Sequence, residues 1–81
     1  MYYVYLLNSI AEPERIYVGY TLNVSHRLKV HNAGGALHTT KYKPWKLLLY
    51  MSFIDRATAM DFEKYLKSQS GRAFIAKRFL K

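Results

Sequence analysis

Not one of the 81 residues is cysteine, and that absence constrains the fold more than any residue present. A domain this short hides only roughly 60% of the surface its unfolded chain exposes. Disulfides and thiolate zinc sites, the usual staples of small domains, are both excluded. The core must therefore come from packing alone. The material for it exists: 51% of the residues are hydrophobic, with eight tyrosines, four phenylalanines and one tryptophan, a composition that argues against disorder. The length predicts one domain, residues 1–81.

The order of apolar patterns along the chain predicts how that core is built. Tyr2 to Leu7 is rich in aromatic and β-branched residues and reads as a strand. Asn8 to Glu14, with Ser9 and Pro13, reads as a connector, and Arg15 to Tyr20 as a second strand. The short link predicts an antiparallel hairpin. Asn23 is a good N-cap for a helix to about Asn32, with Val24 and Leu28 on one stripe and Gly34-Gly35 at its end. A basic loop is expected from Leu37 to Pro44, then a buried strand from Trp45 to Phe53. Asp55 can cap a helix to about Ser68, with Ala59, Phe62 and Leu66 at helical spacing. Ser70 can cap a short last helix holding Phe74, Ile75 and Leu80. The expected fold is α+β: a small three-stranded, mostly antiparallel sheet flanked by helices, in the order β-β-α-β-α-α.

Charge narrows the partners. Thirteen Lys and Arg face five Asp and Glu, a formal net charge of +8 and a pI near 9.9. Such a chain is attracted to polyanions: DNA, RNA or an acidic membrane surface. The strongly amphipathic basic helix of a membrane-surface peptide is not evident, and no stretch approaches a membrane span or a signal peptide. The cytoplasm is the expected location, with no membrane association and no obligate protein partner.

Arg27 and His31 are four apart on the first helix and leave from one face. Arginine can clamp a phosphate, and histidine can move a proton near neutral pH. Spacing alone fits a solvated helix face more often than a site. Glu63 sits beside the apolar anchor Phe62, one of only five acids in the chain. One carboxylate with waters and substrate oxygens can hold magnesium; an ion pair with Lys67, four residues on, is the commoner use of such a glutamate. Tyr3 and Tyr5 alternate to one side of the first strand, with Tyr17 in the second. Buried phenols usually pack, and a pKa near 10 needs a neighbouring cation, metal or base before tyrosine can do acid–base work. Lys41, Lys43 and Lys46 surround Tyr42 and Trp45, a pattern that suits a backbone-gripping surface or, equally, a core tryptophan among solvated lysines. Arg72, Lys77, Arg78 and Lys81 could extend a basic face. No Walker-type phosphate loop, paired zinc histidines at helical spacing or nucleophile elbow is present.

Taken in order, these segments resemble the GIY-YIG nucleases. Tyr3-Val4-Tyr5, followed about a dozen residues on by Tyr17-Val18-Gly19 and Thr21, is similar to the paired motif that names the superfamily. Arg27-Leu28-Lys29-Val30-His31-Asn32 resembles its Arg/His helix, and Glu63-Lys64-Tyr65-Leu66-Lys67 its later helix with a metal-binding Glu. Pro44-Trp45-Lys46-Leu47 and the tail after Glu63 look like the small stand-alone bacterial members. The likeness covers nearly the whole chain. Tyr3 stands where the first Gly is usual and Val18 where Ile is; no Asn follows Asn32, whereas many members carry one after the Glu.

The resemblance implies a divalent-metal-dependent endonuclease that hydrolyses phosphodiesters in DNA, favoured over RNA, with low intrinsic sequence specificity. One Mg2+ or Mn2+ would sit at Glu63. Arg27 would neutralise phosphoryl charge. Tyr5 or Tyr17 would deprotonate or orient the attacking water, Tyr5 being preferred as the base, with His31 accepting or relaying the proton. Lys41, Lys43 and Lys46 would grip the backbone. The missing Asn keeps a second reading open, a catalytically weak or inactive nucleic-acid-binding module. All five site residues are expected on one face of the sheet.

Overall fold

Two hydrophobic layers, one on each side of a sheet, are what the strand patterns require, because the first strand is apolar from Tyr2 through Leu7. In the computed structural model, which describes residues 1–80, β1 (Tyr2–Ser9) is buried from Val4 through Ser9. It lies in the middle of a three-stranded antiparallel sheet of order β2-β1-β3, between β2 (Ile16–Thr21) and β3 (Trp45–Phe53). A central strand covered on both faces reads as a continuous apolar run. On one face Val4, Leu6 and Val18 pack under two helices that supply Ala59, Leu66 and Ile75. On the other, Tyr5, Leu7 and Trp45 pack with Tyr17, Val24, Leu28, Tyr42 and Leu47. Leu6 pairs with Leu49 and Leu7 with Leu47, so Leu48 is an extra residue. This bulge lets Leu48 and Leu49 serve the first layer while Leu47 serves the second.

The helices follow their caps. Asn23 Oδ1 accepts from the His26 amide and starts α1 (Val24–Asn32). Gly34, at φ +82°, and Gly35 close it by donating to the His31 and Val30 carbonyls, a Schellman ending that only the left-handed glycine makes easy. Asp55 caps α3 (Arg56–Lys67) through the Thr58 amide and hydroxyl. Those bonds also hold its carboxyl below the usual range. Two details differ from the sequence reading. The expected basic loop contains a single-turn helix, α2 (Leu37–Thr40). The last helix, α4 (Gln69–Phe79), is capped by Ser68 rather than Ser70, through the Gly71 amide. Ser68, with extended backbone, is at once the C-cap of α3 and the N-cap of α4. The resulting corner brings residue 71 so close to the Tyr65 and Leu66 backbone that only a glycine fits there.

Candidate active site

The layer beneath α1 holds the polar groups that the motifs suggested. Tyr5 is 1% exposed and His31 0%. The Tyr5 hydroxyl lies 2.9 Å from His31 Nε2, and His31 Nδ1 lies 2.7 Å from the Thr39 hydroxyl. Thr39 in turn donates to the Ala36 carbonyl at 3.2 Å. The direction of the chain fixes the tautomer. With its own proton on Ala36, Thr39 offers a lone pair to Nδ1–H, so Nε2 is the bare nitrogen and the Tyr5 phenol donates to it. The opposite tautomer would leave the phenol proton with no acceptor among the described residues.

The electrostatics agree with that assignment. Burial, the neighbouring Tyr17 and the Glu63 carboxylate push the Tyr5 phenol up to about 12, with the Arg27 guanidinium opposing them, so the phenol stays protonated. Burial first, and Arg27 second, lower His31 and keep it neutral. Tyr5 is therefore a donor at rest, and His31 Nε2 is the acceptor placed to take its proton. Tyr17 completes the group: its ring centroid is 6.2 Å from that of Tyr5 and 4.8 Å from that of His31. Gly19 explains how Tyr5 reaches this position. It faces Tyr5 across the sheet, and a Cβ there would stand inside the phenol ring. The glycine of the second motif is needed for this close approach, since its φ is not positive.

Four of the five proposed residues thus meet on one face. Glu63 does not share it. It belongs to α3, whose Ala59 and Leu66 pack on the opposite layer. It flanks that inward stripe with its side chain 18% exposed, and its charge still reaches the Tyr5 hydroxyl, which lies over Gly19 of the outer strand β2. The ion pair with Lys67 also exists, at 3.1 Å.

Among the described residues no three His, Cys, Asp or Glu gather into a cage. The donor set is one carboxylate, which fits magnesium or manganese held largely by water and substrate oxygens and does not fit a closed zinc site.

The lysines divide. Lys41 and Lys43 are exposed on the segment that packs beside His31 and Trp45, and Lys41 and Arg15 both stack on Tyr42. Lys46 points the other way, lining a cleft with Leu48, Phe79 and Leu80. Trp45 is core: it is 4% exposed, its Nε1–H donates to the Thr39 carbonyl at 2.8 Å, and the Asn32 side chain clamps its backbone. It is not a stacking platform. In the stretch after Glu63, where many members carry an Asn, Lys67 is paired with Glu63 and Ser68 caps α4. Arg72, Lys77 and Arg78 are exposed on α4; Lys81 lies outside the described residues. Thr39 is the residue that sequence reasoning missed. It sits eight positions from His31, beyond a glycine turn, where no helical or strand spacing links the two.

A domain model described as the GIY-YIG catalytic domain matches residues 1–77, and the chain belongs to that family. A UPF0213 protein of Oceanobacillus iheyensis is 37% identical over 67 residues, which cover 82% of this chain and 76% of that protein. A structure-specific endonuclease subunit SLX1 of Debaryomyces hansenii is 38% identical over 73 residues, covering 82% of this chain but 21% of that protein. The SLX1 homolog of Giardia intestinalis is 37% identical over 65 residues, 75% of this chain and 18% of that one. The chain therefore spans about a fifth of the SLX1 relatives it matches. The solution NMR structure of a UPF0213 protein from Bacillus halodurans shares the fold with a TM-score of 0.56 and 30% identity, over 98% of this chain and 87% of that one. No helix among the described residues is long and apolar enough to cross a membrane.

Proposed function

We propose that this domain hydrolyses phosphodiester bonds in nucleic acid, DNA in preference to RNA, in the cytoplasm, with a divalent cation and little intrinsic sequence specificity. The observation that carries the proposal is the buried Tyr5–His31–Thr39 chain beside Arg27. A neutral histidine with its bare nitrogen aimed at a phenol is arranged to receive a proton. The attacking water gives its proton to Tyr5 Oη as the Tyr5 proton passes to His31 Nε2, and the water oxygen bonds to phosphorus while the bond from phosphorus to the departing sugar oxygen breaks, that oxygen taking a proton from solvent. Tyr17 orients the water or phosphate. Arg27 neutralises charge on the phosphoryl oxygens. Glu63 would hold Mg2+ or Mn2+, and what such an ion supplies when bound is Lewis-acid stabilisation of the phosphate and the departing oxygen. Lys41 and Lys43 hold the flanking backbone, and the +8 charge draws the substrate in.

The test is Glu63→Ala, assayed for nicking and for binding across several divalent cations. Cleavage should be abolished. Metal-free binding should persist or strengthen, because a carboxylate near a phosphate repels it. Cleavage at the wild-type rate would refute the metal role. A second reading, a binding module that does not cut, is favoured by the Glu63–Lys67 ion pair and by the absence of Asn after Asn32. Its signature is wild-type protein that binds but never nicks under any cation tested.

A further inference from the structure

An aromatic groove of about 490 Å³ opens on the same sheet face as Tyr5, between the β1–β3 pair and the start of α1. Tyr3 and Tyr50 form one wall, their rings 5.8 Å apart and packed edge to face. Leu22 and Leu28 also line the groove. Tyr50 is 54% exposed and Leu22 65%, so both are open to a ligand entering the groove. The groove shares the β1 face that carries Tyr5, whose hydroxyl leans toward β2: Tyr50 on β3 is the register partner of Tyr5, and Tyr3 lies two residues, about 7 Å, along the same strand face. At the helix end of the groove are Val24 and Ser25. As the first two residues of α1, their amides have no carbonyl one turn back within the helix. That first turn carries no acid.

We propose that this groove takes an unpaired nucleobase of the strand whose phosphate lies at Tyr5. The proposal rests on the nuclease reading and adds to it a substrate with at least one unstacked nucleotide beside the scissile bond. Aromatic walls offer a π-face to any base, which suits a protein of low sequence specificity. Amides at a helix start can donate to the oxygens and ring nitrogens of a base edge as well as to a phosphate. A base in a duplex is stacked on both sides and cannot enter. The +8 charge favours this occupant over an apolar peptide, which brings no counter-charge.

The experiment compares two oligonucleotides of equal length and charge, one fully paired and one with a single unpaired 2-aminopurine, binding to the full chain without divalent cation. Wild-type protein should bind the unpaired probe more tightly and change its fluorescence on binding. Tyr50→Ala, at an exposed position that the core does not need, should weaken that complex by roughly 5- to 100-fold, the worth of one base–aromatic stack, and abolish the fluorescence change. Binding of the paired probe should stay within about twofold. Leu22→Ser is the second variant and should act in the same direction. Equal losses on both probes, or no loss on either, overturn the groove assignment and leave the nuclease reading standing. Wild-type protein that binds neither probe overturns both. A groove that binds an apolar peptide and ignores the unpaired base overturns the assignment in favour of a protein partner.

Discussion

Thr39→Val removes one hydroxyl and little else, and it tests the proton relay at its least obvious member. Thr39 is 1% exposed and His31 0%, so no water can replace the lost oxygen. The 2.7 Å bond to His31 Nδ1 and the 3.2 Å bond to the Ala36 carbonyl both disappear. An orphaned buried N–H costs about 1–3 kcal/mol, and losing the second, longer bond adds about 1. We therefore expect a stability loss of about 2–4 kcal/mol in chemical denaturation. The catalytic effect has a separate origin. Without an acceptor for Nδ1–H, the imidazole gains by moving its proton to Nε2, and Nε2–H cannot take the Tyr5 proton. If an orienting bond worth about 1–3 kcal/mol is lost in the transition state, kcat falls by roughly 5- to 150-fold, with KM little changed. Thr39→Ser restores the hydroxyl without the methyl and should recover most of kcat, which a purely structural role for the side chain does not predict. The assay is single-turnover nicking of a labelled strand at saturating metal, at temperatures where each variant is folded by circular dichroism. Wild-type kcat in Thr39→Val, or a Thr39→Ser variant as slow as the valine, would refute the assigned tautomer.

Other consequences follow from the same geometry. Gly19→Ala should displace the Tyr5 hydroxyl from His31, because its Cβ occupies the space of the ring, and should lower nicking by at least about 10-fold; intact activity would mean that the Tyr5–His31 bond is dispensable. Replacing Lys41 and Lys43 together by Ala should flatten the logarithmic salt dependence of binding by roughly 0.7–0.9 per lost phosphate contact, whereas Lys46→Ala, on the other side of the sheet, should leave it unchanged. Stability measured against pH should fall on acidification. His31 is neutral when folded with a lowered pKa, so the unfolded chain takes the proton first, and stability present above pH 6.5 drains away as pH falls through the folded value. The Tyr5 phenol acts at the other end: its raised pKa contributes stability that is full below pH 10 and is lost as pH rises toward about 12. Substituting His31 by Gln should flatten the acid limb, and an unchanged limb would assign it to another group.

Local chemistry determined much of this protein before any tertiary contact. Aromatic and β-branched runs fixed the three strands, and Asn23 and Asp55, with side chains that bond the helix amides, fixed where two helices begin. The Arg27–His31 spacing put both on one face because a helix repeats every 3.6 residues. Tertiary structure decided what depends on contacts between distant segments. Ser68 and not Ser70 caps α4 because the corner at Gly71 is set by how closely two helices pack. Lys46 left the lysine group because alternation along β3 turns it away from Trp45. Glu63 belongs to a helix of the opposite layer, an arrangement that no one-dimensional spacing encodes. Thr39 became part of the relay only because the Schellman turn after α1 folds the chain back onto His31, and burial then made the choice of proton on one imidazole nitrogen consequential.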